Sequence, residues 1–552
     1  MMESMDRNTN SSNLCSDEKG GWWTTGILIG LVAVGAIVRL SGLRDFALSP
    51  DDLLHVEISH DGSLGQVWKK SLTNMHPPLL FFLLRGMVEI SSDEIFLRSI
   101  AWLPGLATIP MLFFLGRRAI GSVGGVAMAF LATLGFGPMI VSQVIRQYSL
   151  FTLLVVVALY LALRVTEEET PLALAGYSLT ITALTWLHYS AVIPLAGVGI
   201  ALGSKWIRKR QVTRALAKLV IVHLLPIVSL AWLYLHQVFA LGSLHTSVRQ
   251  TYLSAFFPES FAGYAGNLVG LMGFFSRPAL AYPLLILVVL GLPVLVLRGR
   301  TWLAIAVVST FSVNLALTFL EKYPFGSTRH SLFLLPFVAL PLGAAVEFLI
   351  SNLAMRNLAR LGIVGRNIVQ RPWLARSLGV SILVASCALA LVGLPKTRFL
   401  RRTLDSSGYA WAEFPVLRAD YEALMATLEK RMRENDIVLT NQQTRHYFVR
   451  ASGYRLPEQL SPRCQRIRMG RIESYFTAKY IIKNEADLVS AVAAIRPHLI
   501  GRAVGRIWLI NIGWRSLKGL IAPGSPFHPR IVGELDPGGM HLYVLSPAIF
   551  MG

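Results

Sequence analysis

The sequence predicts an α-helical polytopic membrane domain followed by a soluble α/β domain outside the cytoplasm, and three observations predict it. Apolar runs of 13 to 23 residues, many of them close to membrane-spanning length, recur between Trp22 and Leu394. Clusters of Lys and Arg fall in alternate loops between those runs. Beyond Lys396 the charged residues spread evenly and the apolar runs shorten to the lengths of ordinary helices and strands. With 53% hydrophobic and only 15% charged residues, a soluble globule is excluded. The net charge of +21 follows from inner loops obeying the positive-inside rule, so no nucleic-acid partner is implied. Cys15, Cys387 and Cys464 lie in three separate regions and offer neither a disulfide pairing nor a metal spacing.

Residues 1–21 read as a disordered cytoplasmic tail. They lack a basic leader, and the run that follows lacks a small-residue cleavage site, so Trp22–Leu40 is expected to stay as an anchor. Pro77–Ile90 is apolar but only about 14 residues long and carries Arg85, which fits an interfacial or re-entrant helix. With that helix not crossing, the later spans are Ile100–Leu115, Gly121–Val141, Leu150–Leu163, Leu172–Leu187, Ala191–Gly203, Leu216–Val238, Ala281–Leu297, Trp302–Leu320, Leu332–Leu349 and Val380–Leu394, about eleven in all. Arg117-Arg118, the basic run Lys205–Arg210, Arg298 with Arg300, and the arginines from Arg356 to Arg376 then share one face. Had Pro77–Ile90 crossed, those clusters would lie outside. The membrane domain is therefore 22–395 and the soluble domain 396–552, in an inner-membrane protein with its N-terminus inside and its C-terminal domain outside. In the soluble domain, Val416–Arg433 and Ala486–Ile495 read as helices, and Ile437–Thr440, Arg506–Ile512 and His541–Leu545 as strands.

The stretch Ser49–Pro78 reads as an active-site loop on the outer face. Asp51-Asp52 stands at the foot of the first span, where one carboxylate can serve as general base or help hold a divalent cation; a solvated helix end is the plain alternative. Glu57 and Asp61 read as surface residues. His76-Pro77-Pro78 is either an ordinary helix start or an N-terminus that favours a phosphate within reach of His76. Arg98, and Arg146 between Gln143 and Tyr148, lie outside against the charge bias, as does Arg329-His330 after Tyr323-Pro324-Phe325-Gly326. Snorkelling accounts for a lone arginine, but three outer loops bringing cations to the carboxylate face suit a phosphate. His188-Tyr189, His223 and His236 read as packing residues, and the aromatics from Phe256 to Phe275 as an interfacial belt.

Taken together, the acidic pair, His76-Pro-Pro-Leu, Glu94-x3-Arg98-Ser99, Gly116-Arg117-Arg118, Gln143-x2-Arg146-x-Tyr148 and Tyr323-Pro-Phe-Gly-x-x-Arg329-His330 resemble bacterial GT-C glycosyltransferases, of the kind of protein O-mannosyltransferases and the lipid A aminoarabinose transferase (glycosyltransferase family 39-like), over roughly Trp22–Ile350. The resemblance implies a GT-C-like fold, a polyprenyl-phosphate-linked sugar donor, a lipid, glycan or protein acceptor, and inverting transfer on the outer face. It implies Asp51 as base with Asp52 at a position usually Glu, a phosphate held by His76, Arg146 and Arg329, with Arg98, Tyr148 and His330 beside them, and a Mg or Mn ion that Asp51 would help bind. Two departures stand out: Val144 occupies a position commonly Glu, and Asp52 is one methylene shorter than the usual acid. A non-catalytic transporter gripping an anionic headgroup is the rival reading, against which stands the location of the notable charges at one rim rather than at mid-membrane. A related protein that has lost activity is a third.

Overall fold

The computed structural model of the chain describes residues 21–208, 212–239, 256–350, 380–381, 418–512 and 530–545, with short interruptions inside these ranges. The expected span Val380–Leu394, the arginines from Arg356 to Arg376 and Asp61 fall mostly or wholly outside the described residues.

The helices run in order as α1 (Gly21–Leu40), α2 (Pro50–His60), α3 (Leu64–Leu72), α4 (Leu79–Ile90), α5 (Glu94–Ala119), α6 (Ser122–Leu134), α7 (Phe136–Val141), α8 (Tyr148–Glu167) and α9 (Pro171–Leu187). They continue as α10 (Val192–Arg208), α11 (Val212–Leu233), α12 (Phe261–Phe275), α13 (Ala281–Leu297), α14 (Thr301–Phe319) and α15 (Leu335–Phe348). Seven helical segments among the described residues are long and apolar enough to cross a membrane, and four shorter apolar helices accompany them. Ile221, Leu225 and Ile227 on α11 and Tyr282, Ile286 and Val289 on α13 are exposed. Exposed apolar side chains in such number on single helices suit lipid rather than water.

Two expectations are corrected, for Ser49–Pro78 and Gly121–Val141, and the aromatic stretch gains a helix. Ser49–Pro78 is largely helical, because two capping boxes start α2 and α3. The Ser49 N–H donates to Asp52 Oδ2 and the Asp52 N–H to Ser49 Oγ, both at 3.1 Å. The Ser63 N–H likewise donates to Gln66 Oε1 at 2.9 Å and the Gln66 N–H to Ser63 Oγ at 3.4 Å. The aromatic belt contains the fifteen-residue helix α12, capped by Ser260 and buried over its last turn. Gly121–Val141 is two helices broken at Gly135, where a Cβ would lie 2.4 Å from the Phe275 carbonyl oxygen.

The chain forms two compact units. One comprises Met1–Ser41, Ser71–Leu80 and Arg98–Ala410; the other comprises Gly42–Lys70, Phe81–Leu97 and Trp411–Gly552. In the first, α6 and α15 meet at Gly124 and Gly343, where a Cβ on either would sit 2.9 Å from the other's carbonyl oxygen. Small residues let helix backbones approach this closely. Glu347 Oε2 accepts the Gly124 N–H at 2.8 Å, so the same contact satisfies a first-turn amide of α6.

The second unit is built on a seven-stranded sheet with α16 (Arg418–Arg431), α17 (Gln442–Ala451) and α18 (Glu485–Ile495). Its strands are β1 (Ile437–Thr440), β2 (Glu458–Ser461), β3 (Cys464–Met469), β4 (Ile472–Thr477), β5 (Ile507–Ile512), β6 (Arg530–Leu535) and β7 (Met540–Leu545), in the order β2-β3-β4-β1-β5-β7-β6. β1 runs parallel to β4 and β5, and the other pairs are antiparallel. All four β1 residues are buried, as a central parallel strand requires. Ala491, Val492 and Ile495 of α18 cover the Ile437, Leu439 and Leu509 face. Phe448 of α17 packs on Phe476 with ring centroids 6.0 Å apart. Helix α17 also holds α2 and the first residue of α5. Arg445 grips Glu57 of α2 through two bonds, at 2.9 and 2.6 Å, and Arg450 pairs with Glu94. Glu57, expected at the surface, is 9% exposed because this guanidinium covers it.

Removing one partner of such a pair strands the other charge in a buried setting, a loss of about 3–5 kcal/mol. Glu57→Ala and Arg445→Ala are each expected to lower the unfolding temperature of the detergent-solubilised full chain clearly. The exchanged pair Glu57→Arg with Arg445→Glu should recover part of it, and no recovery would mean the two residues act separately.

Candidate functional site

In the first unit the polar turn 142–147 joins α7 to α8, and its side chains reach in three directions. Gln143 donates from Nε2 to the Arg39 carbonyl at 3.1 Å, while its own carbonyl accepts Arg98 Nη1 at 3.2 Å. Arg39 is 1% exposed and gives Nη2 to the Ala132 carbonyl at 2.7 Å, on the last turn of α6, where a cation meets the negative end of the helix dipole. The Gln143 end of the turn is thus tied to both α1 and α5, and Arg146 lies within the turn, 2% exposed. Gln147, at the far end, places Nε2 2.9 Å from His76 Nδ1.

Tyr148 begins α8 and connects the turn to the segment before α15. Its hydroxyl lies 3.3 Å from His330 Nδ1, and the Arg329 guanidinium sits 5.8 Å from the centre of its ring. Tyr323 donates its hydroxyl to the His330 carbonyl at 2.9 Å, which explains the Tyr-Pro-Phe-Gly run as a support for Arg329-His330. His76, Arg329 and His330 are therefore gathered in one unit around Gln147 and Tyr148, with Arg146 on the same turn and Arg98 reaching it from α5.

Four participants carry little sequence signal. Arg39 is a charge at the end of an apolar run, which reads as snorkelling. Gln147 reads as a neighbour of Arg146. Gln237, in the short π-helical turn Tyr234–Val238, donates from Nε2 to the carbonyls of Ser71, Asn74 and His76 at 2.9, 2.7 and 3.0 Å, and Tyr189 donates its hydroxyl to Gln237 Oε1. His188, expected to be packing, sits in the turn between α9 and α10 with its ring 5.7 Å from His76 and 5.5 Å from Tyr148. Burial pushes this ring's pKa down to about 3, so it is neutral at any physiological pH. His223 and His236 make local bonds to the Leu219 and Trp232 carbonyls.

The acidic pair belongs to the second unit and stands in the first turn of α2, where the helix dipole favours negative charge. Asp52 is 1% exposed and spends Oδ2 on the Ser49 amide, whereas Asp51 is half-buried. Among the described residues no three His, Cys, Asp or Glu side chains converge into one cluster.

The chain has the GT-C fold, a scaffold of apolar helices of membrane-spanning length with a C-terminal α/β sheet region. ArnT from Cupriavidus metallidurans, in its structure bound to undecaprenyl phosphate, superposes with a TM-score of 0.52 over 95% of this chain and 99% of its own, at 12% identity. The archaeal oligosaccharyltransferase AglB from Archaeoglobus fulgidus, in complex with an inhibitory peptide and a dolichol-phosphate, superposes with a TM-score of 0.50 over 89% of this chain and 70% of its own, at 12% identity. No protein-family model and no curated protein matches the sequence.

Gln237→Leu is expected to remove the two amide hydrogens that the Ser71, Asn74 and His76 carbonyls share. Hydrogen–deuterium exchange of the amides around Asn74 and His76 should rise about five- to tenfold, as loss of a net bond of about 1–1.5 kcal/mol predicts, while the α13–α15 amides stay protected. Unchanged exchange at Asn74–His76 would remove Gln237 from the site.

Proposed function

We propose that the chain is a membrane glycosyltransferase that moves a sugar from a polyprenyl-phosphate-linked donor to an acceptor on the outer membrane face, with inversion at the anomeric carbon. One observation carries the reading: within a GT-C scaffold, Gln147 and Tyr148 link two histidines and Arg329 into one cluster. A cluster of this make-up suits a phosphate. The lipids in the ArnT and AglB structures, undecaprenyl phosphate and dolichol-phosphate, support the donor class.

The chemistry needs two things from the protein. A phosphate is a weak base and leaves without a proton, so the residues around it need only supply positive charge and hydrogen bonds. The acceptor hydroxyl, in contrast, must lose its proton as it attacks. The acceptor oxygen forms its bond to the anomeric carbon, the bond from that carbon to the phosphate oxygen breaks with its electron pair going to the phosphate, and the acceptor proton passes to a carboxylate. Asp51 takes that proton. Asp52 instead maintains the helix start through Ser49, which divides the pair into a chemical and a structural member. Arg146 and Arg329, with His76, His330, Arg98 and Tyr148 around them, hold the phosphate. Val144 supplies no second carboxylate, and the steps above run through the chain's own residues.

Asp51→Asn is expected to lower transfer from a labelled polyprenyl-phosphate sugar by about 10²- to 10⁴-fold with donor binding retained. Asp52→Asn, which still accepts the Ser49 amide, should keep most activity, whereas Asp52→Ala should cost about 1 kcal/mol of stability. Arg146→Glu should weaken donor binding. Full activity in Asp51→Asn sinks the base assignment, and translocation of the intact lipid sugar without release of polyprenyl phosphate would make the protein a transporter.

A further inference from the structure

His188 is held in one protonation form by the residue two positions on. The backbone N–H of Ser190 donates to His188 Nδ1 at 3.0 Å, and the Ser190 hydroxyl oxygen lies 2.7 Å from the same nitrogen. A backbone amide can only donate, so Nδ1 presents a lone pair and the neutral ring carries its proton on Nε2. The ring is 6% exposed, and Nε2 is fully buried with no hydrogen-bond partner among the described residues.

A buried N–H left unpaired is costly, and folded proteins rarely retain one without a use. Packing does not require it, since a phenylalanine would fill the same space without that loss. The surroundings suggest what the donor is for. Besides His76 and Tyr148, the His188 ring neighbours Phe151 at 5.5 Å and Tyr323 and His330 at 6.4 Å. His76, Tyr148 and His330 belong to the cluster assigned above to the phosphate, and Tyr323 supports it. The unsatisfied donor thus lies inside that cluster.

We propose that His188 is a ligand-contacting residue whose Nε2–H donates a hydrogen bond to a phosphate oxygen of the polyprenyl phosphate bound by this cluster. The identity of the lipid rests on the glycosyl-transfer reading, whereas the orientation of the donor rests on the Ser190 contacts alone. Being neutral, His188 adds direction to the phosphate site without adding charge.

Asparagine and glutamine separate the two ring nitrogens. His188→Asn can accept the Ser190 amide where Nδ1 does but has nothing at the Nε2 position, and His188→Gln returns an N–H near Nε2. With the full chain in detergent, binding of undecaprenyl phosphate is expected to weaken about tenfold or more in His188→Asn at nearly unchanged unfolding temperature, and to recover substantially in His188→Gln. Equal affinity in His188→Asn and the unaltered chain, while the labelled donor is still turned over, overturns the role of His188 and leaves the transferase reading standing. Parallel loss of affinity and unfolding temperature in both variants also overturns it, as a packing role. Inorganic phosphate competing as strongly as the lipid overturns the lipid as source. Failure of the unaltered chain to bind undecaprenyl phosphate defeats both readings together.

Discussion

The helical unit depends on satisfying a short polar turn between two apolar helices. Backbone and side-chain polar groups in such surroundings have no water to fall back on, so each must find a protein partner. Arg39 takes up the open carbonyls at the end of α6, Gln143 holds the Arg39 carbonyl, and Arg98 holds the Gln143 carbonyl. Each bond fixes the group that makes the next. With the Gln143 end tied, Gln147 and Tyr148 leave the turn in defined directions and meet His76 and His330. The arrangement resembles a preorganised site in which orientation is settled before a ligand arrives.

A comparable division of labour appears in the second unit. One short helix, α2, has a capping carboxylate, a half-buried carboxylate beside it, and Glu57 two turns on. Asp52 is used by the backbone and Glu57 by Arg445, each in a bond that charge strengthens. The chemistry assigned to Asp51 therefore sits on a helix anchored at its start by Ser49 and along its length by α17. Arg445 reaches further, to Gln465 on β3 at 2.8 Å, so the sheet itself braces the helix.

Part of what the structure corrects is nonetheless written in the residues. Ser49-x-x-Asp52 and Ser63-x-x-Gln66 are capping-box signals, yet the intervening polar residues made the stretch look like a loop. The strand Ile437–Thr440 was legible with its bounds because four apolar or β-branched residues stand between charged segments, and the helices Arg418–Arg431 and Glu485–Ile495 lie within two residues of expectation at each end. Strands β2 to β4 were not legible, since alternating charge on β3 and a mixed β4 resemble surface loop until pairing is known. Gln147, His188 and Gln237 carry no motif of their own, because an amide or imidazole beside an apolar helix is usually satisfied locally.

By itself the sequence determined the class of the protein, its helical membrane domain with a following α/β domain, and which loops carry unusual cations. Those properties follow from hydrophobic length, charge alternation and periodicity, all of which act along the chain. Only the tertiary structure decided which carboxylate caps a helix, that Glu57 is buried under Arg445, and that His188 joins His76, Tyr148 and His330. These depend on hydrogen-bond partners from 3 to 388 positions apart, and the distant ones no local pattern specifies.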